Sequence, residues 1–269
     1  MKTMRKFKEL PRKTIEVNGG NVSFIEGGSG PVLFLMHGIG GNSRSWTKQF
    51  EGLTSKYRII AWDAPGYGDS ELRKSNLADY VAAAAGLLAA LGVERVNVLG
   101  HSMGGVIAQG LAGLGTIELD KLILSSTFMG HGESEGEPLQ AGYLARLNDI
   151  TRLSPEEFGQ ARAKTMLAKP TSDEIFQKVA NIASEVRKPG LLAACEVLNY
   201  SDTSQILKNF SKPVLVFTGR HDKIVTPDRS IDMTAHIADV QHIQFLNSGH
   251  AAYLEEPLAY NDALSRFLS

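Results

Sequence analysis

The feature that most constrains this chain is an alternation. Short apolar runs, each closed by a turn residue, alternate with stretches of helical periodicity. The runs cover residues 31–38 (PVLFLMHG), 58–63, 95–101, 121–126, 213–219 and 242–247. Helical patterns lie between and after them, at 46–57, 77–93, 103–115, 227–238 and 257–268. A continuous apolar run suits a strand buried on both faces, and a helix after each strand supplies the crossover that parallel neighbours need. Upstream, residues 14–17 and 21–26 flank Asn18-Gly19-Gly20, a hairpin signal and hence an antiparallel start. The expected fold class is α/β, a mostly parallel sheet flanked by helices.

The rhythm breaks between residues 128 and 211. Only helical patterns occur there, at 138–150, 154–169, 171–187 and 188–199. The expected organisation is a core of residues 1–127 and 212–269 with an all-helical lid, 128–211, inserted between two strands. Open α/β sheets bind ligands at the carboxyl ends of their strands, so the loops there should carry the chemistry.

Composition narrows the function classes. The 269 residues include 28 Lys plus Arg and 29 Asp plus Glu, a formal net charge of -1, which argues against a nucleic-acid surface. Residues 1–13 contain six basic side chains but no apolar segment of signal-peptide type, and read as a solvated arm. The longest mostly apolar stretch, 81–93, is too short for a bilayer, which needs roughly 20 residues. The lone cysteine, Cys195, excludes an internal disulfide and fits a reducing compartment. A cytoplasmic protein, monomeric or homodimeric, with neither a membrane nor a nucleic-acid partner, is expected.

The strongest chemical signal is VLGHSMGG, residues 98–105, in which Ser102 sits between Gly100 and Gly104 after an apolar strand and before a helix. A nucleophile on a sharp strand-to-helix turn needs small neighbours where the backbone passes itself closely. A serine hydroxyl also needs a base, and the base an orienting acid. Of seven histidines, His250 in LNSGH follows the final strand. His37 and His101 are tied to their own turns, His131 lies in the Gly/Glu-rich start of the lid, and His236 and His242 lie on or beside a helix. His221 adjoins the candidate acid. That acid is Asp222, in the loop after residues 213–219; the other eligible strand end, SSTFM at 125–129, carries no carboxylate. Asp228, the competitor, follows Pro227 at a helix start, where an acid serves the helix dipole.

A second loop, MHGIGGNSRSW (36–46), raises the question of a phosphate cradle. It fails the nucleotide fingerprints: Gly-x-Gly-x-x-Gly would need glycine at position 43, which is Ser43, and no Gly-Lys follows. Asp63, where a ribose-binding acid would sit, belongs to the Asp-x-Pro-Gly turn. Neither His-Glu-x-x-His nor paired cysteines are present, so no metal and no cofactor is expected.

The order Ser102, Asp222, His250, the His37-Gly38 loop, DAPGYGDS at 63–70 and GRHD at 219–222 together resemble the α/β-hydrolase superfamily. The resemblance covers nearly the whole chain and is weakest over the lid. Asp-nucleophile branches do not fit Ser102. Carbon–carbon hydrolases of ring-cleavage products show Gly-Pro-Gly, Asn and Trp where this chain has Ile39-Gly40-Gly41, His101 and Ala251. Residues 37–46 and 249–257 are more similar to 3-oxoadipate enol-lactonase-like enzymes and small carboxylesterases.

The resemblance implies a serine hydrolase of small-molecule esters or lactones, working through an acyl-enzyme on Ser102. The backbone N–H groups of Ile39 and Met103 would form the oxyanion hole. Carbon–carbon bond hydrolysis is the alternative, as is a ligand-sensing receptor that keeps the triad. For the acyl pocket the expected residues are His37, Trp46, Phe128 and Tyr143, with His37 also bracing its turn. Arg146, Arg152 and Arg162 are available to a substrate carboxylate, although solvation is the ordinary state of lid arginines.

Overall fold

The computed structural model describes residues 10–269. The solvated arm expected over residues 1–13 lies outside the described residues as far as residue 9.

Eight strands form one sheet in the order β1-β2-β4-β3-β5-β6-β7-β8. They are β1 (Lys13–Val17), β2 (Gly20–Gly27), β3 (Val32–Met36), β4 (Arg58–Trp62), β5 (Arg95–His101), β6 (Glu118–Ser125), β7 (Val214–Gly219) and β8 (Val240–Phe245). Both pairings of β2, with β1 and with β4, are antiparallel, and the other five are parallel. The β1–β2 hairpin turns at Asn18 (φ 51°) and Gly19 (φ 77°); two successive positive φ values match its twist to that of the strands.

Alternation within the apolar runs explains the two-layered core. Phe34, Met36, Val98, Leu122, Leu124 and Val216 pack on one face of the sheet; Leu33, Leu35, Leu99, Ile123, Leu215 and Phe217 pack on the other. Every one of these side chains is fully buried. Each such burial contributes about 1.5–3 kcal/mol, so the parallel strands hold the sheet from both sides.

The core helices are α1 (Thr47–Leu53), α2 (Leu77–Ala90), α3 (Met103–Leu114), α9 (Pro227–Thr234), α10 (Ala252–Glu255) and α11 (Pro257–Leu268). Between β6 and β7 the chain carries only α4 (Ala141–Arg152), α5 (Pro155–Met166), α6 (Asp173–Ser184), α7 (Lys188–Tyr200) and α8 (Ser204–Asn209). Ser154 caps α5 in a reciprocal pair with Glu157, which fixes where that helix begins. Gly159 lets α5 approach α6 closely: a Cβ there would lie 2.2 Å from the Ala180 carbonyl oxygen.

Several boundaries differ from the sequence pattern. The helix expected from residue 46 starts at Thr47, because Ser43–Trp46 form a 3-10 turn capped by Asn42. The last strand runs Val240–Phe245 rather than 242–247, since Leu246, 55% exposed, already belongs to the turn. The short helices α8 and α10 carry too few residues to show periodicity.

Candidate active site

The loops at the carboxyl ends of β3, β5, β7 and β8 converge. Ser102 follows β5 and precedes α3, with φ 52° and ψ −118°, a conformation costly for a residue with a Cβ. The flanking glycines make it possible. A Cβ at Gly100 would lie 2.3 Å from the Gly104 carbonyl oxygen, and one at Gly104 would lie 2.1 Å from that of Met36. The turn is held by the Ser102 N–H donating to the Ser125 carbonyl (2.9 Å) and the Thr127 hydroxyl donating to the Ser102 carbonyl (2.6 Å).

Asp222 and His250 meet in the loops that follow β7 and β8. His250 Nδ1 lies 2.7 Å from Asp222 Oδ2, with both side chains buried. The other carboxylate oxygen of Asp222 accepts the backbone N–H groups of Ile224 (2.8 Å) and Val225 (3.0 Å), so its orientation is set by its own loop. The His250 ring packs 4.6 Å from the His101 ring, which also meets Tyr253 at 5.0 Å. Burial, helped by the neighbouring His250, pushes the His101 pKa well below the usual range, so that ring is neutral.

The His250 loop is clamped on both sides of the histidine. Glu255 on α10 accepts the N–H of Gly249 (3.0 Å) and of Ala251 (3.2 Å) through one oxygen. Its other oxygen accepts the N–H of Ala168 in the helical insertion (2.7 Å). The His250 N–H donates to Met166 of the same insertion (2.7 Å). Burial raises the Glu255 pKa to about 7, against the opposing pull of these three amides. Neither Glu255 nor its role stood out in the sequence, where it is one of two acids before a proline.

The glycine-rich loop after β3 lies against Ser102: a Cβ on Gly38 would be 2.8 Å from the Ser102 Cβ. Gly40, at φ 85°, and a Gly41 N–H to Gly38 carbonyl bond (3.0 Å) fold the loop back. Neither the Ile39 nor the Met103 backbone N–H donates to an acceptor among the described residues. Both amides are therefore without a protein acceptor among these residues, one next to Gly38 and the other next to Ser102.

His37 and Trp46 do not line the cavity beside Ser102. The His37 Nδ1–H donates to the Gly38 carbonyl (2.9 Å) and its Nε2 accepts the Ala64 N–H (2.9 Å). Both ring nitrogens are thus committed to backbone, and burial holds the imidazole neutral. Its ring braces the loop, the second of the two roles expected for it. Trp46 is completely buried in the core layer that holds Phe50 and Tyr260, tilted against Tyr253 at 4.8 Å. The 3-10 turn that precedes α1 rotates Trp46 into that layer, so it is a core residue and not a pocket wall. Asp63 is likewise structural: it accepts the Ser43 N–H (2.7 Å) and the Ser23 hydroxyl (2.6 Å) and pairs with Arg12 (2.8 Å).

A cavity of about 290 Å³ opens on Ser102, with Phe128 and Tyr143 in its lining. Its lining also includes His131, Leu198, Val225 and Arg229, drawn from four separate segments. No group of three or more His, Cys, Asp or Glu side chains arranged to hold a metal occurs among the described residues. No helix among them is long and apolar enough to cross a membrane.

Known proteins resemble this chain over most of its length. A family model described as alpha/beta hydrolase fold matches residues 31–257. The chain is 27% identical to 3-oxoadipate enol-lactonase 2 of Acinetobacter baylyi, over 87% of this chain and 87% of that protein. It is 25% identical to a 2-hydroxy-6-oxononadienedioate/2-hydroxy-6-oxononatrienedioate hydrolase of a Pseudomonas species, over 94% of this chain and 93% of that protein. Among solved structures, an esterase from Exiguobacterium antarcticum superposes with a TM-score of 0.86 at 22% identity, covering 95% of this chain and 98% of that one.

Proposed function

The chain belongs to the α/β-hydrolase fold family, and from that premise we propose that it is a serine hydrolase of small-molecule carboxylic esters or lactones. The observation that carries the reading is the 2.7 Å contact from His250 Nδ1 to Asp222 Oδ2 at the strand ends where Ser102 is exposed to the cavity. His250 takes the Ser102 proton through Nε2 as Ser102 attacks the acyl carbonyl; Asp222 fixes the tautomer and stabilises the imidazolium. The Ile39 and Met103 amides hold the oxyanion, each worth about 3 kcal/mol of barrier. His250 then protonates the departing alkoxide. Water, deprotonated by the same imidazole, releases the acyl group from Ser102. No step draws on a metal or organic cofactor.

The Pseudomonas relative supports a second reading, carbon–carbon bond hydrolysis by the same groups. A panel of esters, lactones and vinylogous diketones read by turnover separates the two. A ligand sensor would show a single slow turnover instead. Labelling by a fluorophosphonate tests the nucleophile directly: Ser102→Ala should abolish it, and labelling at the wild-type rate would refute the assignment. The reading extends to a cytoplasmic protein, monomeric or homodimeric, consistent with the buried free thiol of Cys195.

A further inference from the structure

We propose that the cavity over Ser102 holds a substrate carboxylate between Arg146 and Arg229, which makes the substrate a carboxylate-bearing ester or lactone. This rests on the reading of Ser102 as the nucleophile and names the class of molecule that reaches it.

The cavity that exposes Ser102 is lined by two guanidinium groups and by no aspartate or glutamate. Arg146 comes from α4 and Arg229 from α9, so two elements far apart in sequence bring like charges to one space. Neither forms an ion pair with a carboxylate among the described residues, and Asp149, one turn along α4, pairs with neither. A third arginine, Arg162 on α5, is buried to 7% exposure without an ion pair, and its Nε has no hydrogen-bond partner. Burial, reinforced by the charge of Arg146, pulls its pKa down to about 9. Desolvated guanidinium groups are costly unless an anion meets them.

Arg229 is held ready by neutral groups alone. Its guanidinium carbon stacks 3.8 Å above the Phe128 ring, and Nη2 lies 3.3 Å from His131 Nδ1 and 3.5 Å from its Nε2. Burial and the charge of Arg229 push the His131 pKa to about 4, so His131 is a neutral acceptor. With Nδ1 accepting, His131 carries its proton on Nε2 and donates to the Tyr143 oxygen at 3.1 Å. In this tautomer His131 leaves the Tyr143 hydroxyl proton unused, and Tyr143 lines the same cavity. Two planar forks and one O–H are the donor set that a carboxylate accepts well.

Two pairs of esters test this. Mono-4-nitrophenyl glutarate against 4-nitrophenyl valerate places the carboxylate on the acyl side; 4-acetoxybenzoate against phenyl acetate places it on the alcohol side. The expected result is that kcat/KM favours the charged member of one pair by about tenfold or more, chiefly through KM. Arg146→Gln and Arg229→Gln should each lower that ratio about tenfold, and Arg229→Lys should restore part of it. A merely general stabilisation of the oxyanion would raise kcat for both members and leave the ratio near one. Ratios near one in both pairs, or a ratio unchanged in both variants, would overturn the proposal. If no ester turns over, the hydrolase reading itself fails. Calorimetric titration of the Ser102→Ala protein with glutarate still decides the subsite: binding lost in the Arg146→Gln, Arg229→Gln double variant supports it, and no binding refutes it.

Discussion

His250 Nδ1 and Asp222 Oδ2 stand 2.7 Å apart with both side chains buried, while the second oxygen of Asp222 is occupied by the Ile224 and Val225 amides. Asp222→Asn presents a competing N–H on one side of this arrangement and disfavours the Nδ1–H tautomer that the base requires. Turnover of a 4-nitrophenyl ester should fall by about 10⁴, with the thermal unfolding transition retained. An unchanged rate would move the acid elsewhere, Asp228 being the first alternative.

Ser102 carries its hydroxyl at φ 52°, where glycine is the comfortable residue. Ser102→Gly should abolish fluorophosphonate labelling and raise the free energy of unfolding by about 1 kcal/mol, read by urea denaturation. Loss of stability in this variant would show that the turn is not strained.

Glu255 has a folded-state pKa of about 7, raised from 4.5. Between those values the folded protein holds a proton that the unfolded chain has released. Its contribution to stability is therefore full below about pH 4.5 and is lost as pH rises toward 7, by at most about 1.4 kcal/mol per pH unit. Glu255→Gln should remove this segment of the slope in pH-dependent urea titrations. It should also lower kcat about tenfold, because an amide cannot accept from both Ala168 and the Gly249/Ala251 pair. An identical pH slope in the two proteins would contradict the assignment.

Asp63 anchors the glycine-rich loop through the Ser43 amide and pairs with Arg12 at 2.8 Å, in a completely buried position. Asp63→Asn leaves Arg12, which is 11% exposed, without that charge. Unfolding free energy should drop by about 3 kcal/mol. In the material that remains folded kcat should fall, since an asparagine keeps the Ser43 N–H bond only by turning its NH2 toward Arg12 and the Ser23 hydroxyl, which strains the loop carrying the Ile39 amide. A variant as stable as the parent would show that the ion pair contributes nothing.

Much of the active centre was legible in the sequence because its determinants are local. The Gly100-x-Ser102-x-Gly104 spacing encodes a backbone that can turn there, and each apolar run encodes a strand with two buried faces. Ser102, Asp222 and His250 each follow such a run, as do His37, His101 and Asp63, and the order Ser, Asp, His together with the family resemblance chose among them. Phe128 and Tyr143 were likewise within reach as apolar residues at the start of the insertion.

What only the tertiary structure decided is which side chains face one another across distant segments. Trp46 looked like a pocket wall because it follows the loop beside Ser102, yet one 3-10 turn carries it into the core. Arg146 was one of three arginines of the insertion within reach of a carboxylate, and Arg229 drew no notice; only the fold brings α4 and α9 to one cavity. Glu255 reaches Ala168 across 87 residues. The sequence by itself determined the strands, the longer helices and the glycine-flanked turn at Ser102, because backbone sterics and apolar period are written residue by residue. The shape and charge of the cavity came only with the fold, because they are sums over side chains that the chain order keeps apart.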